Sequence, residues 1–157
     1  MRHELTRELP YTPEQLFALV GDIGTYPQFV PWVTSMRTWN QREIAPGVTS
    51  VDAEAQVGFA FLKEKFATRV VRDANARHIR IGLLHGPFKH LTSNWRFEPC
   101  AGGSKLTFDI DFAFKSRLLE ALLTSNFNTA VNRLIECFEG RAKALYGSSG
   151  RALESIP

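Results

Sequence analysis

Between residues 51 and 61 the chain reads "VDAEAQVGFAF". Val51, Ala53, Ala55, Val57, Phe59 and Phe61 share one phase, and Asp52, Glu54 and Gln56 share the other. Strict alternation sends successive side chains to opposite faces of a strand, so one face is apolar and the other wet. The same period returns at Phe66, Thr68 and Val70, then at Arg77, Ile79, Ile81 and Leu83. It appears again at Leu91, Ser93, Trp95 and Phe97, and at Leu106, Phe108, Ile110, Phe112 and Phe114. The interruptions are short: "PG" at 46–47, Asn75, "HGPF" at 85–88 and "AGGS" at 101–104. Consecutive strands joined by short turns dictate an antiparallel meander. Residues 34–45 read as one more strand, and residues 2–9 as a leading strand with His3, Leu5, Arg7 and Leu9 on one face.

A one-sided meander so rich in Phe and Trp must be covered, and the C-terminal region supplies the cover. From about Ser116 to Tyr146 the period becomes helical, with Phe127, Val131, Leu134, Phe138, Ala142 and Leu145 at spacings of three and four. One helix of that length runs about 45 Å, longer than a typical strand of about 17–20 Å. A shorter helix is expected over "TPEQLFALVGDI", with Thr12 as N-cap, Pro13 at the first turn and Gln15 completing a capping box. With 157 residues, 44% of them hydrophobic and 22% charged, the chain suits one globular domain. That domain is expected over 1–147, with a disordered tail over 148–157. The solution is α+β: a curved antiparallel sheet wrapped around a long C-terminal helix. Sheet and helix need not close fully, so a cavity lined by the aromatic positions can persist.

The chemistry-bearing residues are sparse. "AGGS" lacks the Lys-Ser/Thr of a phosphate loop and precedes a strand. The histidines His3, His78, His85 and His90 lack metal-ligand spacing, and no cofactor is expected. Cys100 and Cys137 form no short motif and read as reduced thiols. No run approaches the length of a membrane span, and "MRHELTREL" has no signal-peptide core. The carboxylate pairs Asp109/Asp111 and Asp52/Glu54 lie on the polar phase of their strands and are expected to face water. The net charge is +3, with Lys63, Lys65, Arg69, Arg72, Arg77, Arg80, Lys89 and Arg96 on the central strands. They read either as a solvated sheet face or as a basic face for RNA. Leu118, Leu119, Leu122 and Leu123 cannot all point inward, which implies a broad buried face or an apolar patch that meets lipid or a partner. "DIGTYPQFVPWV" (22–33) concentrates Tyr26, Phe29 and Trp32 on a segment that Pro27 and Pro31 bar from regular structure. It forms either an apolar rim at the cavity mouth or a plug at the end of the core.

The element order, the "DIGTYPQFVPWV" segment, "GPFKHLTSNWRFEP" (86–99), "LTFDIDFAFKS" (106–116) and a final helix ending "ECFEGRAKALYG" together resemble the coenzyme Q-binding START-like family. That family sits within the polyketide cyclase-like, helix-grip superfamily, and its bacterial members include a ribosome association toxin. The likeness spans about residues 1–147. It implies a helix-grip (START-like, Bet v 1-like) fold with an apolar tunnel between sheet and helix. Where many relatives have "PWC", this chain has Pro31, Trp32 and Val33. The implied function is a non-enzymatic carrier or chaperone for ubiquinone or a related polyprenyl lipid in respiration. The cellular place implied is the bacterial cytoplasm, with peripheral contact at the inner membrane. Phe59, Phe61, Trp95, Phe97, Phe108 and Phe112 would line the tunnel from the sheet, and Phe127, Val131 and Leu134 from the helix. Phe29, Val30, Pro31 and Trp32 would stand at its mouth. The alternative that the resemblance allows, second to the carrier, is a toxin that binds the large ribosomal subunit and blocks subunit joining. By superfamily analogy alone it also allows a small-molecule cyclase.

Overall fold

The computed structural model describes residues 1–59, 62–124 and 126–147. Its alternating segments form one seven-stranded antiparallel sheet in the order β1-β7-β6-β5-β4-β3-β2. The strands are β1 (Arg2–Leu9), β2 (Val33–Ala45), β3 (Val48–Phe59), β4 (Leu62–Asp73), β5 (His78–His85), β6 (Phe88–Cys100) and β7 (Gly103–Phe114). The last six follow the meander read from the turns. β1 closes the far edge by pairing with β7, Leu5 opposite Phe108.

β1 and β2 lie at opposite edges, so their connection must cross the concave face. Helix α1 (Pro13–Gly21) and a 3-10 helix (Ile23–Gln28) make that crossing. The capping box forms as expected: the Gln15 amide donates to Thr12 Oγ1 (3.1 Å) and the Thr12 amide to Gln15 Oε1 (2.9 Å). Pro27 sits inside the 3-10 helix, a tight turn type that tolerates it only in short pieces. Gly103 lets β7 start against the end of β1: its φ is +154°, and a Cβ there would lie 2.0 Å from the Leu9 carbonyl oxygen.

The C-terminal region differs from the single helix expected. It forms α2 (Arg117–Thr124) and α3 (Phe127–Tyr146). Thr124, the last residue of α2, and the Ser125-Asn126 that follow it in the sequence are residue types that hydrogen-bond nearby backbone and favour caps over helix interiors. At 1.5 Å per residue α3 is about 30 Å long, a better match to the sheet. Its buried stripe is Val131, Ile135, Phe138 and Ala142. Tyr146 fills the final position and packs on Tyr11, which leaves Leu145 48% exposed, contrary to its place in the expected stripe.

Among the described residues, polar ties fix α3 and its C-terminal cap to the layer beneath: Arg7 to Glu139 (2.7 Å), Arg141 to Gln28 (2.9 Å), Tyr11 hydroxyl to the Gly147 carbonyl (3.0 Å) and Tyr146 hydroxyl to the Gln15 carbonyl (3.2 Å). Residues 148–157, expected to be a disordered tail, lie outside the described residues.

Two expectations for polar residues fail. Asp52 does not face water; it is 4% exposed. Arg69 Nε donates to its Oδ1 (2.9 Å) and Asn40 Nδ2 to its Oδ2 (3.1 Å), and the Arg69 guanidinium holds its carboxyl below the usual carboxylate range. A β-bulge beside Trp39 places Asn40 at φ 57°, and that irregularity folds β2 over the carboxylate. Arg77 is not on a strand face but in a left-handed turn (φ 52°), bonded to Glu14 at 2.8 Å.

Candidate ligand site between the sheet and helix α3

The strand register sorts the inner face into rows that the sequence cannot show. One row is Thr49, Arg72, Ile79, Trp95, Phe108 and Leu5. The Trp95 and Phe108 rings meet at 4.5 Å with their planes tilted by 46°, and Phe138 of α3 closes on Trp95 at 5.2 Å. Nearer the end of β3, Leu91 and Phe112 start a second apolar cluster with Phe114 and Phe88.

Between these lies the row Val51, Val70, Ile81, Ser93, Ile110 and His3. It carries no phenyl or indole side chain. At its centre Ser93 is short and turns its hydroxyl to the Asp109 carbonyl (2.9 Å). Ile81 and Ile110 flank Ser93 in mid-sheet, yet both keep accessible surface, whereas Val51 and Val70 in the same row are 2% exposed. A mid-sheet isoleucine on the covered face keeps solvent contact only where the cover does not seat. Ile81 packs against the larger cluster and Ile110 against both, so the row lies between the two clusters under a cover that leaves it partly accessible.

Of the expected site residues, Trp95, Phe97, Phe108 and Val131 are buried in the larger cluster and Phe112 in the smaller one. Phe127 is half-buried and touches both clusters, its ring 4.8 Å from Phe112 and 5.5 Å from His3. Leu134 is half-buried against the larger cluster. Phe59 is placed by its backbone as the last residue of β3, and Phe61 lies outside the described residues.

The four mouth residues part company. Val30 is fully buried, and Phe29 packs on Phe138 (5.3 Å) under the Arg141 guanidinium. Pro31 is exposed and Trp32 half-buried, its carbonyl accepting from the Gly58 amide (2.8 Å) at the hairpin tip. Tyr26, also expected on the rim, turns inward instead: its ring meets Phe138 at 5.2 Å and its hydroxyl donates to the Val20 carbonyl. Burial pushes its phenol well above the usual range.

Ile81, Ile110 and Ser93 were legible as inward-facing but not as neighbours in one row. The available signal was a serine on the apolar phase of "LTSNWRF", where a packed core would carry a larger side chain.

The basic strand residues do not make one positive face. Arg72 turns inward to the Gly21 carbonyl (2.9 Å) and Thr49 (3.2 Å), lining an open cleft of about 430 Å³ with Phe17 and Ala74. Arg69, Arg96 and Arg77 are matched to Asp52, Asp109 and Glu14. Of the leucines, Leu119 packs into the smaller cluster, whereas Leu118 is 69% and Leu122 37% exposed.

Residues 9–139 match the family model described as polyketide cyclase/dehydrase and lipid transport. The ribosome association toxin RatA of Rickettsia prowazekii is 38% identical over 141 residues, 88% of this chain and 93% of the relative. The mitochondrial coenzyme Q-binding protein COQ10 homolog B of Xenopus laevis is 30% identical over 90% of this chain and 58% of its own length. Among solved structures, an 18 kDa protein from Caulobacter crescentus is 58% identical and superposes with a TM-score of 0.80, covering 94% of this chain and 99% of that one. The chain belongs to the polyketide cyclase/dehydrase and lipid transport family and has a START-like fold.

Proposed function

We propose that this chain binds a long apolar lipid, ubiquinone or a related polyprenyl lipid, in the gap above Ile81, Ser93 and Ile110, and sequesters and delivers it without transforming it. The observation that supports this reading is the accessible surface kept by two isoleucines in the middle of a covered sheet. Polyprenyl chains suit such a gap. Each buried Å² of apolar area contributes about 25 cal/mol, so affinity grows with chain length and no reactive group is required. Trp95, Phe108 and Leu134 would flank the chain, Phe112 and Phe127 would close one end, and Pro31 and Trp32 would border the entrance beside the hairpin tip. Phe97, Val131, Phe29 and Val30 would act behind these as the packed wall. The name of the Xenopus relative supports the ligand class. The reading places the protein in the cytoplasm of a bacterium, supporting respiratory electron transport. Organic extraction and mass spectrometry of the purified protein test it. A polyprenyl quinone should co-purify; no quinone and no uptake of added ubiquinone would refute it.

A second reading, association with the large ribosomal subunit, is favoured by the near full-length likeness to a ribosome association toxin. Sedimentation with ribosomal subunits at two salt concentrations tests it. Phosphate-driven binding is strongest at low salt, so free sedimentation there would remove this reading.

A further inference from the structure

His3 is a polar side chain on the covered face that the protein leaves without a polar partner. It stands on β1 opposite Ile110, at the end of the row that runs through Ile81 and Ser93. Alternation along β1 points it beneath α3, and its ring meets Phe127, the first residue of that helix, edge to face at 5.5 Å. It is half-buried, and among the described residues its imidazole makes no hydrogen bond and no ion pair. Neighbouring polar groups of the same face are satisfied within the protein. Ser93 donates to the Asp109 carbonyl (2.9 Å), and Arg7, farther along β1, donates to Glu139 (2.7 Å). Arg72 donates to the Gly21 carbonyl (2.9 Å).

Half-burial lets water serve the imidazole while that part of the face is open. A lipid laid over the row removes the water. A purely hydrocarbon chain then leaves the ring N–H unpaired against apolar surface, which is unfavourable. A lipid whose head group carries a carbonyl oxygen restores the bond. Quinone oxygens accept hydrogen bonds and donate none, and an imidazole N–H is the matching donor. Ile110 and Phe127 beside it offer apolar contact and no competing side-chain donor.

We infer that His3 is the head-group residue of the lipid site: its ring N–H donates to a carbonyl oxygen of the quinone and selects acceptor-bearing polyprenyl lipids over isoprenoid hydrocarbons. The inference rests on the lipid-binding reading above and adds to it an orientation and a basis for selection. The head group lies at the β1 edge of the sheet, at the end that Phe127 closes, and the prenyl chain runs over Ile110 and Ile81 toward the opposite edge.

The test is a competition. Phosphatidylcholine vesicles loaded with equal amounts of ubiquinone and squalene, an isoprenoid hydrocarbon with no hydrogen-bond acceptor, present both lipids to the full chain. The protein is separated from the vesicles and extracted, and the ubiquinone-to-squalene ratio is read by mass spectrometry. A ratio is indifferent to how much of a variant is folded. Wild type should be enriched in ubiquinone relative to the vesicles. His3→Phe keeps a ring against Phe127 but removes the donor, and should lower the ratio about fivefold. The amide nitrogens of His3→Gln and His3→Asn stand near the imidazole Nε2 and Nδ1 positions, and one of the two should restore the ratio to within about twofold of wild type. Glu4→Ala, exposed on the outer face of β1, should leave it unchanged. Equal ratios for wild type and His3→Phe, with both lipids bound, would overturn the head-group role and leave lipid binding standing. A loss in His3→Phe that neither amide restores would assign the effect to shape and overturn the role as well. Uptake of neither lipid by wild type would refute lipid binding itself, and this role with it.

Discussion

Ile81→Phe separates a gap from a packed core. Ile81 sits between Val70 and Ser93 in the row that carries no phenyl or indole group. In a filled core, forcing in the extra carbons costs about 1–3 kcal/mol through strained rotamers and backbone shifts. Above an open row the phenyl ring meets no wall, and stability should stay within about 0.5 kcal/mol of wild type. Val70→Phe, at a neighbour only 2% exposed, is the packed control and should show the full cost. For a chain of this size that cost is a fall in Tm of roughly 3–10 °C. The Ile81→Phe ring should displace about 60 Å² of ligand surface, ~1.5 kcal/mol or roughly a tenfold loss of ubiquinone affinity. Urea denaturation and ubiquinone titration of the two variants give both numbers. If Ile81→Phe destabilises as much as Val70→Phe, or keeps wild-type ubiquinone affinity, the gap argument fails.

Four further outcomes follow from the geometry. Phe138→Ala removes a ring that meets Tyr26, Phe29 and Trp95 and is 2% exposed, so urea denaturation should show a loss of about 4 kcal/mol. Gly103→Ala places a Cβ against the Leu9 carbonyl, and the domain should lose about 3 kcal/mol or more, with amide protection falling first along the β1–β7 pair. Asp52 has its folded pKa depressed by Arg69, so its contribution is complete above the unfolded carboxylate value and disappears as pH falls through the lower folded value. Asp52→Asn should therefore destabilise at neutral pH and flatten the acid limb of the stability curve. Phe29→Ala and Trp32→Ala should diverge: the first costs stability because its ring packs on Phe138, and the second lowers ligand retention more than Tm.

Much of the fold was legible because strand period and turn chemistry are local. The alternation of "VDAEAQVGFAF" and the punctuation at "PG", "HGPF" and "AGGS" were enough for the meander, and Thr12 with Gln15 for the start of α1. The break between α2 and α3 was readable in Thr124-Ser125-Asn126 but was outweighed by the leucines before it and the long apolar period after it. Asp52 defeated the alternation rule because its cover comes from a bulge on another strand. The row of Ile81, Ser93 and Ile110 was hidden for a related reason. Alternation says that Ile81, Ser93 and Ile110 face inward, whereas only register says that they stand side by side. Tyr26 and Phe29 show the same limit, since their partner Phe138 lies more than a hundred residues away in the chain.

Isoleucine-methyl NMR reports directly on whether a lipid lies above Ile81 and Ile110. On titration with ubiquinone in detergent-free buffer, the methyl signals of Ile81 and Ile110 should shift and saturate together. Ile44, 52% exposed on β2, should not move. Unmoved Ile81 and Ile110 signals at saturating ubiquinone, or shifts confined to other isoleucines, would contradict the account.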